Sequence, residues 1–385
     1  MDASSIAASL LGTRLTLWLG PTIAMPAPAT IVQALAGVEV HLADTGYDGF
    51  ELTFTVGRTG ALAMDYTLMM NPLLRPSTRV VIQVWLGVFP QVLIDGFITQ
   101  SMLNPGTEPG SSTLTVTGVD VRLMMDVRQM SMSYPAQAAE AIIYQIILSY
   151  MMFLGMPPQI MSPDPSVPPP TERIPVRADT DLAYLDALAL RYDCVFYVEP
   201  TTVPMVNLAY WGPPLTLTAP QPALSINMGP ETNATIRFQY DGRAPTMVAG
   251  LMLDKRTGLV MPVITPVSTR MPLSIMPPML VQGPTMRMSA PHNAGNLDYP
   301  EAMLQAQALT NRTSYALKAE GELDMLRYGG VLRPRRLVGV RGAGFMLDGL
   351  YYVKDVTHTI KQGEYRQRFT LTRDGFGSLT PMVPT

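Results

Sequence analysis

Short runs of alternating apolar and polar residues dominate the first third of the chain. GVEVHLAD, DGFELTFTV, RVVIQVWLG, QVLIDGFIT and STLTVTGVD are each four to nine residues of β-branched or alternating character, bounded by Gly, Pro or Asn. They predict strands. RVVIQVWLG and QVLIDGFIT, joined around Phe89 and Pro90, predict a hairpin, and Asn104 to Ser112 (NPGTEPGSS) predicts a long exposed turn. Upstream, Leu15 to Val38 carries no charge but is interrupted by Pro21, Pro26 and Pro28, so residues 1–34 read as an extended arm.

The period then changes. Ser133 and Pro135 precede a predicted helix over about 136–152, with Ile142, Ile143, Ile146 and Ile147 on one face. MPPQIMSPDPSVPPPTERIP, residues 156–175, predicts an extended proline-rich linker. In RADTDLAYLDALALRYDCVFYVEP, Thr180 or Asp181 caps a helix through about Arg191, followed by a strand at Cys194 to Val198. This is a compact α/β unit. From Ala209 strand-and-turn character returns, with a Met- and Pro-rich stretch from Val260 to Arg287. A helix is predicted from Tyr299 to Glu320, with Pro300 in its first turn, and strands follow to Gly375.

GLYYVKDVTHTIKQGEYRQRFTLTRDG, Gly349 to Gly375, reads as one hairpin. A turn at Gln362-Gly363 sets Lys361 against Glu364, Ile360 against Tyr365, His358 against Gln367 and Val356 against Phe369 on one register. Thr357 and Thr359 then face Arg368 and Arg366. The hairpin also belongs to an internal repeat. Leu74-Arg75-Pro76, a strand, Asp95-Gly96 and Thr115-Val116-Thr117 recur in the same order as Leu332-Arg333-Pro334, a strand, Asp348-Gly349 and Thr370-Leu371-Thr372. Fixed-order self-similarity of this kind predicts two copies of one β-unit.

Composition sharpens this. The chain has 385 residues, room for two to four domains; 47% are hydrophobic and only 15% charged. With 28 Met and 36 Pro, it fits a protein that covers much of its surface against partners. A net charge of −3 provides no electrostatic case for nucleic-acid binding. The lone Cys194 excludes an internal disulfide and lies in the apolar run CVFYV, as a structural thiol does. No basic n-region of a signal peptide precedes the first apolar stretch, and Ala141 to Met156 is short of the roughly 20 residues a membrane span needs.

Catalysis requires convergent polar groups, and the sequence nominates none. His41, His292 and His358 have no partner at metal-ligand spacing, and no CxxC, HExxH, GxSxG or P-loop occurs. GVRGAG, Gly339 to Gly344, lies between strands and reads as a turn. Glu140, Asp181, Glu199 and Asp241 are isolated carboxylates, and the sequons at Asn233 and Asn311 read as chance matches. No catalytic, cofactor-binding or metal-ligating residue is therefore assigned, and no cofactor is expected. His358 reads as one polar position on a sheet face, because a general base needs a positioned partner.

The stretches IPVRADTDLAYLDALALRYDCVFYVEP, AYWGPP with QPALSINMGP, and LRPRRLVGVRGAGFMLDGLYYVKDVTHTIKQGEYRQRFTLTRDG resemble the central hub proteins of contractile injection systems. These are the phage late-control D family, the hubs of contractile-tailed phages and the N-terminal part of VgrG proteins. The resemblance covers nearly the whole chain and is nearest to hubs of extracellular, phage-tail-like particles. It implies a mainly β fold with α+β insertions, comprising two related tube-like β-barrel domains, a small α/β domain and a linker or insertion region. The expected division is an arm over 1–34, a first barrel over 35–126, the α/β domain over 127–215, and a second barrel over 216–385 with the insertion and helix at 245–320. It further implies a structural, non-enzymatic homotrimer whose six barrels adapt a trimeric spike to a hexameric inner tube. A separate spike protein, the tube initiator and the surrounding baseplate wedge proteins are the implied partners. Assembly would take place in the cytoplasm, before incorporation into a particle. The alternatives are a tail-associated cell-wall hydrolase, which lacks a visible carboxylate or His constellation, and a membrane-inserting tail protein using Ala141 to Met156.

Overall fold

In a computed structural model the described residues are 13–379, apart from 58–65, 88, 108–110, 165–166, 172, 216–217 and 292–296. His292 and the tip of the Asn104–Ser112 turn lie outside them. The longer elements are numbered in chain order. The first β-unit comprises β1 (Thr13–Gly20), β2 (Leu35–Ala43), β3 (Gly49–Val56), β4 (Arg79–Leu86), β5 (Phe89–Asn104) and β6 (Ser112–Asp120). The α/β unit comprises α1 (Ala139–Leu148), α2 (Asp181–Arg191), β7 (Val195–Pro200) and β8 (Asn207–Gly212). The rest comprises β9 (Gln221–Ser225), β10 (Ala234–Tyr240), β11 (Thr246–Leu253), β12 (Val260–Thr265), β13 (Arg287–Ser289), α3 (Tyr299–Thr313), β14 (Leu317–Asp324), β15 (Leu337–Arg341), β16 (Gly349–Lys361) and β17 (Glu364–Arg373).

The protein is mainly β, organised around one large sheet. Its strand order is β10-β14-β17-β16-β2-β3-β6-β5-β4-β1, with β15 branching from β16 to β9. Within the segment expected as an extended arm, Thr13–Gly20 is a strand of this sheet and pairs antiparallel with the whole of β4. The prolines that suggested an arm come after this strand, at Pro21, Pro26 and Pro28, where the chain turns and enters a short helix at Ala29–Ala34. Leu17 and Leu19 of β1 join Val38 and Val40 of β2 in one core, so the first half of the sheet wraps around its own interior. Hydrogen bonds do not close β1 onto β2 among the described residues. A second core, including Leu224, Leu317, Val340, Tyr351, Val356 and Phe369, fills the other half.

Helix α1 buries Ile142, Ile143, Ile146 and Ile147 as their spacing predicts, but it stops at Leu148. The Ser149 hydroxyl donates back to the Ile146 carbonyl (2.7 Å), and a further turn at Met151–Leu154 ends on Gly155 in the left-handed region (φ 78°). The Thr180 hydroxyl accepts the Ala183 N–H (3.3 Å) and caps α2 as expected. Helix α3 ends at Thr313, well short of Glu320. Ser314 bonds back to the Asn311 carbonyl (2.7 Å), and from Leu317 the period becomes two, with Leu317 and Ala319 buried and Lys318 and Glu320 exposed. This segment is β14, paired on both sides. The Met- and Pro-rich stretch contributes β12 to a small sheet, β12-β11-β13, that packs Val248, Met252 and Val263 against Ala302 and Ala306 of α3.

Candidate assembly surface

The two β-units are related strand by strand. In each, the residue after Leu-Arg-Pro has a positive φ, 71° at Ser77 and 65° at Arg335. Their N–H groups donate to Ile98 and Val353 carbonyls, both at 2.8 Å, and those residues donate back to Thr78 and Arg336, both at 2.9 Å. Immediately afterwards both ladders carry a bulge, at Thr99 between β5 and β6 and at Lys354 between β16 and β17. The turn and the bulge align β4 with β15, β5 with β16 and β6 with β17. Two of the repeated motifs are then two residues out of register. Asp95 is equivalent to Leu350 rather than Asp348, and Thr117 is equivalent to Thr370 rather than Thr372. A shift of two keeps every side chain on its original face, which is why the motif order survives it. The units also differ: β1 runs antiparallel to β4, whereas β9 runs parallel to β15.

The units are joined edge to edge. Along β16 and β2, Asp355 to Lys361 pair antiparallel with Ala43 to Gly37, with His358 opposite Val40 and Thr357 opposite His41. Within the hairpin, the pairs Val356–Phe369, His358–Gln367 and Ile360–Tyr365 all occur as the alternation predicts, and Gly363 takes the turn at φ 84°. Lys361 does oppose Glu364, but the Glu364 carboxylate pairs with Arg366.

Three buried Arg–Asp pairs lock the junction to the α/β unit. Arg335 of the second unit donates through one guanidinium nitrogen to both Asp48 carboxylate oxygens of the first (2.6 and 2.8 Å) and to the Ala43 carbonyl, and it lies 4.3 Å from the Tyr197 ring centre. Arg122 holds Asp120 (2.6 Å), the Gly46 carbonyl (2.6 Å) and the Phe196 carbonyl (2.8 Å). Arg79 holds Asp95 through two bonds (2.8 and 2.7 Å) and the Phe153 carbonyl (3.0 Å), while Asn207 donates to the same carboxylate (2.8 Å). The Asp48 charge nearby raises the pKa of Arg335, although burial alone opposes this. Both carboxylates accept further bonds, Asp48 from the Ala43 N–H (2.8 Å) and Asp120 from the Asp48 N–H (2.9 Å), which helps a buried ion pair to be tolerated, although Arg335 Nε has no partner among the described residues.

Sequence reasoning missed these pairs, although Asp95 sits in a quoted motif and Arg335 directly follows Leu-Arg-Pro. Lone charges inside strand runs were the available signal. The carboxylates singled out from sequence do not converge. Asp181 pairs with Arg177 and accepts the Tyr150 hydroxyl (2.6 Å), Glu199 pairs with Arg336 (2.8 Å), Asp241 accepts the Arg243 N–H (2.9 Å), and Glu140 is exposed on α1. Exposed His41 meets the Thr357 hydroxyl at 3.0 Å, on the outer face of the junction. Asn311 is buried and donates to Asp193 (2.8 Å). Burial pushes the Cys194 thiol up to about 12, so it is not a thiolate at neutral pH. A concavity of about 1220 Å³ lies between α2, α3 and β11. It brings Arg191, Arg243, Arg287 and Arg312 to an open groove, and Arg191 also pairs with Glu301 (3.1 Å). Among the described residues no three His, Cys, Asp or Glu side chains group as metal ligands, and no helix is long and apolar enough to cross a membrane.

No family model and no curated protein matches this chain. Solved structures do. A tail protein from Neisseria meningitidis matches with a TM-score of 0.63 at 11% identity, over 95% of this chain and 98% of that one. The 43 kDa tail protein of prophage MuSo2 from Shewanella oneidensis matches with a TM-score of 0.64 at 12% identity, over 94% and 99%. An E. coli component of the type VI secretion system matches with a TM-score of 0.55 at 10% identity, over 91% and 77%. The chain has the fold of phage tail proteins.

Proposed function

We propose that this chain is the structural hub of a contractile, phage-tail-like baseplate, working as a homotrimer. The observation that carries the reading is the edge-to-edge joint between two equivalent β-units, β16 on β2, within one subunit. A head-to-tail joint of this kind generates a ring when its rotation closes. Three subunits would present six β-units around one axis, which suits a six-fold inner tube on one side while the chain itself keeps the three-fold symmetry of a spike. Spike, tube initiator and wedge proteins are the expected neighbours, and the protein would assemble in the cytoplasm before becoming part of a particle. No chemical step is assigned to it. The tail-protein fold and the low fraction of charged residues, 15%, support this reading.

Native mass spectrometry of the purified protein, followed by image averaging of the particle, tests it. Three copies per assembly, seated between a three-fold and a six-fold component, are expected. A protein that stays monomeric at micromolar concentration and binds neither a spike nor a tube protein would overturn it.

A further inference from the structure

The internal joint uses one edge of each unit, and among the described residues the equivalent edges pair with no strand, although the Ser101 hydroxyl donates to the Leu74 carbonyl (2.9 Å). Among the described residues β10 has no strand on its outer side, and β5 beyond Ile98 is paired only to β6. We propose that these two edges pair between copies of this chain, antiparallel and in the register of the internal ladder; the proposal rests on the hub reading above.

The register follows from residue equivalences. Counting from the two bulges, Val356, Thr357, His358 and Thr359 of β16 correspond to Ser101, Met102, Leu103 and Asn104 of β5. Thr117 and Thr370 are equivalent and lie opposite Glu51 and Glu320, which in turn lie opposite Glu39 and Arg237. Hence Val40, His41 and Leu42 of β2 correspond to Phe238, Gln239 and Tyr240 of β10. Transferring the internal ladder gives Ser101 opposite Tyr240, Met102 opposite Gln239, Leu103 opposite Phe238 and Asn104 opposite Arg237, each pair between two chains.

Burial shows what these edges lack. Val38, Val40 and Leu42 are fully buried beneath β16, whereas their counterparts Ile236, Phe238 and Tyr240 remain half-exposed. On the other edge His358 is 0% exposed, while its counterpart Leu103 is half-exposed and Met102 is 57% exposed. β10 has no Pro, no bulge against β14 and no inward charge; its one charge is the outward Arg237, and its Tyr240 end is touched from outside the sheet by the Gln282 amide (3.1 Å). The chemistry matches as well, with Leu103 and Phe238 meeting on the core face and Asn104 and Arg237 on the polar face. In a ring of copies each contact joins β5 of one chain to β10 of the next, so every chain has both edges covered by its two neighbours, as a heterologous head-to-tail contact requires.

The test is a double-cysteine variant, Met102→Cys with Gln239→Cys, treated with mild oxidant or a short bis-maleimide. Both positions are exposed, and circular dichroism and melting temperature verify that the fold is unchanged. Each single variant measures the background from Cys194. Inter-chain cross-links are expected in the double variant, in a ladder that ends at three chains. Pairing Met102→Cys with Thr235→Cys, four residues or roughly 13 Å along the strand, is expected to cross-link at background level. A trimer by mass without the Met102–Gln239 cross-link would overturn the register and leave the hub reading standing. Cross-links in this register that close at another number would retain the pairing and overturn the trimer. A monomer without cross-links would overturn both.

Discussion

His358 lies directly opposite Val40 in the ladder that joins the two β-units, fully buried, with Nδ1 3.2 Å from the Tyr365 hydroxyl and Nε2 unpartnered among the described residues. Burial, and then the nearby Arg333, push its pKa down to about 3 from the usual 6.5. The imidazole is therefore neutral in the folded protein at every ordinary pH, which suits packing and leaves no charge to shuttle.

Acid should weaken this joint. The unfolded chain protonates His358 below about pH 6.5, whereas the folded chain resists down to about 3. The contribution is complete above pH 6.5 and declines as pH falls, by about 1.4 kcal/mol per unit in between. Removing the Tyr365 partner in His358→Leu adds a cost that does not depend on pH. Urea denaturation at pH 7, 6, 5 and 4 should show wild type losing stability faster than the variant below pH 6.5. Parallel curves across that range would refute the assignment.

Arg335→Ala should destabilise the protein by about 3–5 kcal/mol, because it leaves the Asp48 carboxylate buried without its cation. Arg335→Lys should recover only part of this, since a lysine cannot keep the planar stacking of the guanidinium on Tyr197. A double-mutant cycle with Asp48→Ala should give a coupling energy above roughly 1 kcal/mol, the range for directly contacting groups. Additive losses would mean that the pair does not act as a unit.

Elements whose period is set locally were readable from the sequence. The Gly349–Gly375 hairpin was legible to the residue from its turn back to Val356 and Phe369, because each strand alternates cleanly there and one glycine sets the turn, whereas the bulge at Lys354 left no local signal. So were the buried face of α1 and the cap of α2. What failed depends on distant partners. Thr13–Gly20 becomes a strand only because β4, some sixty residues later, offers a buried edge. Leu317–Glu320 continues a plausible helical pattern until β10 and β17 claim it from both sides. The joint itself was visible only as a repeat: the Leu-Arg-Pro turns align the two units, whereas the Asp-Gly and Thr-Φ-Thr matches sit two residues away. The Arg–Asp locks connect segments up to 287 residues apart and leave only unpaired charges as a sequence trace.

Two glycines in strand interiors should prove intolerant for a reason local to each pair. Gly321 lies opposite Phe369, and a Cβ there would come within 2.3 Å of the Thr235 carbonyl oxygen and 2.6 Å of the Phe369 ring. Gly118 lies opposite Phe50, where a Cβ would meet that ring at 2.3 Å and the Phe97 carbonyl oxygen at 2.4 Å. The backbone oxygens cannot yield without disturbing the ladder, so Gly321→Ala and Gly118→Ala should each cost about 1–3 kcal/mol, as overpacking does. Phe369→Asp goes further, placing an unpaired carboxylate in a site that is 2% exposed, and should abolish folding of the second unit and with it assembly. His358→Ala, one strand away, should lower stability yet still assemble. Thermal melts of the two glycine variants, read beside native gels of Phe369→Asp and His358→Ala, check the set. An assembled Phe369→Asp protein, or glycine variants as stable as wild type, would contradict the packing described for this sheet.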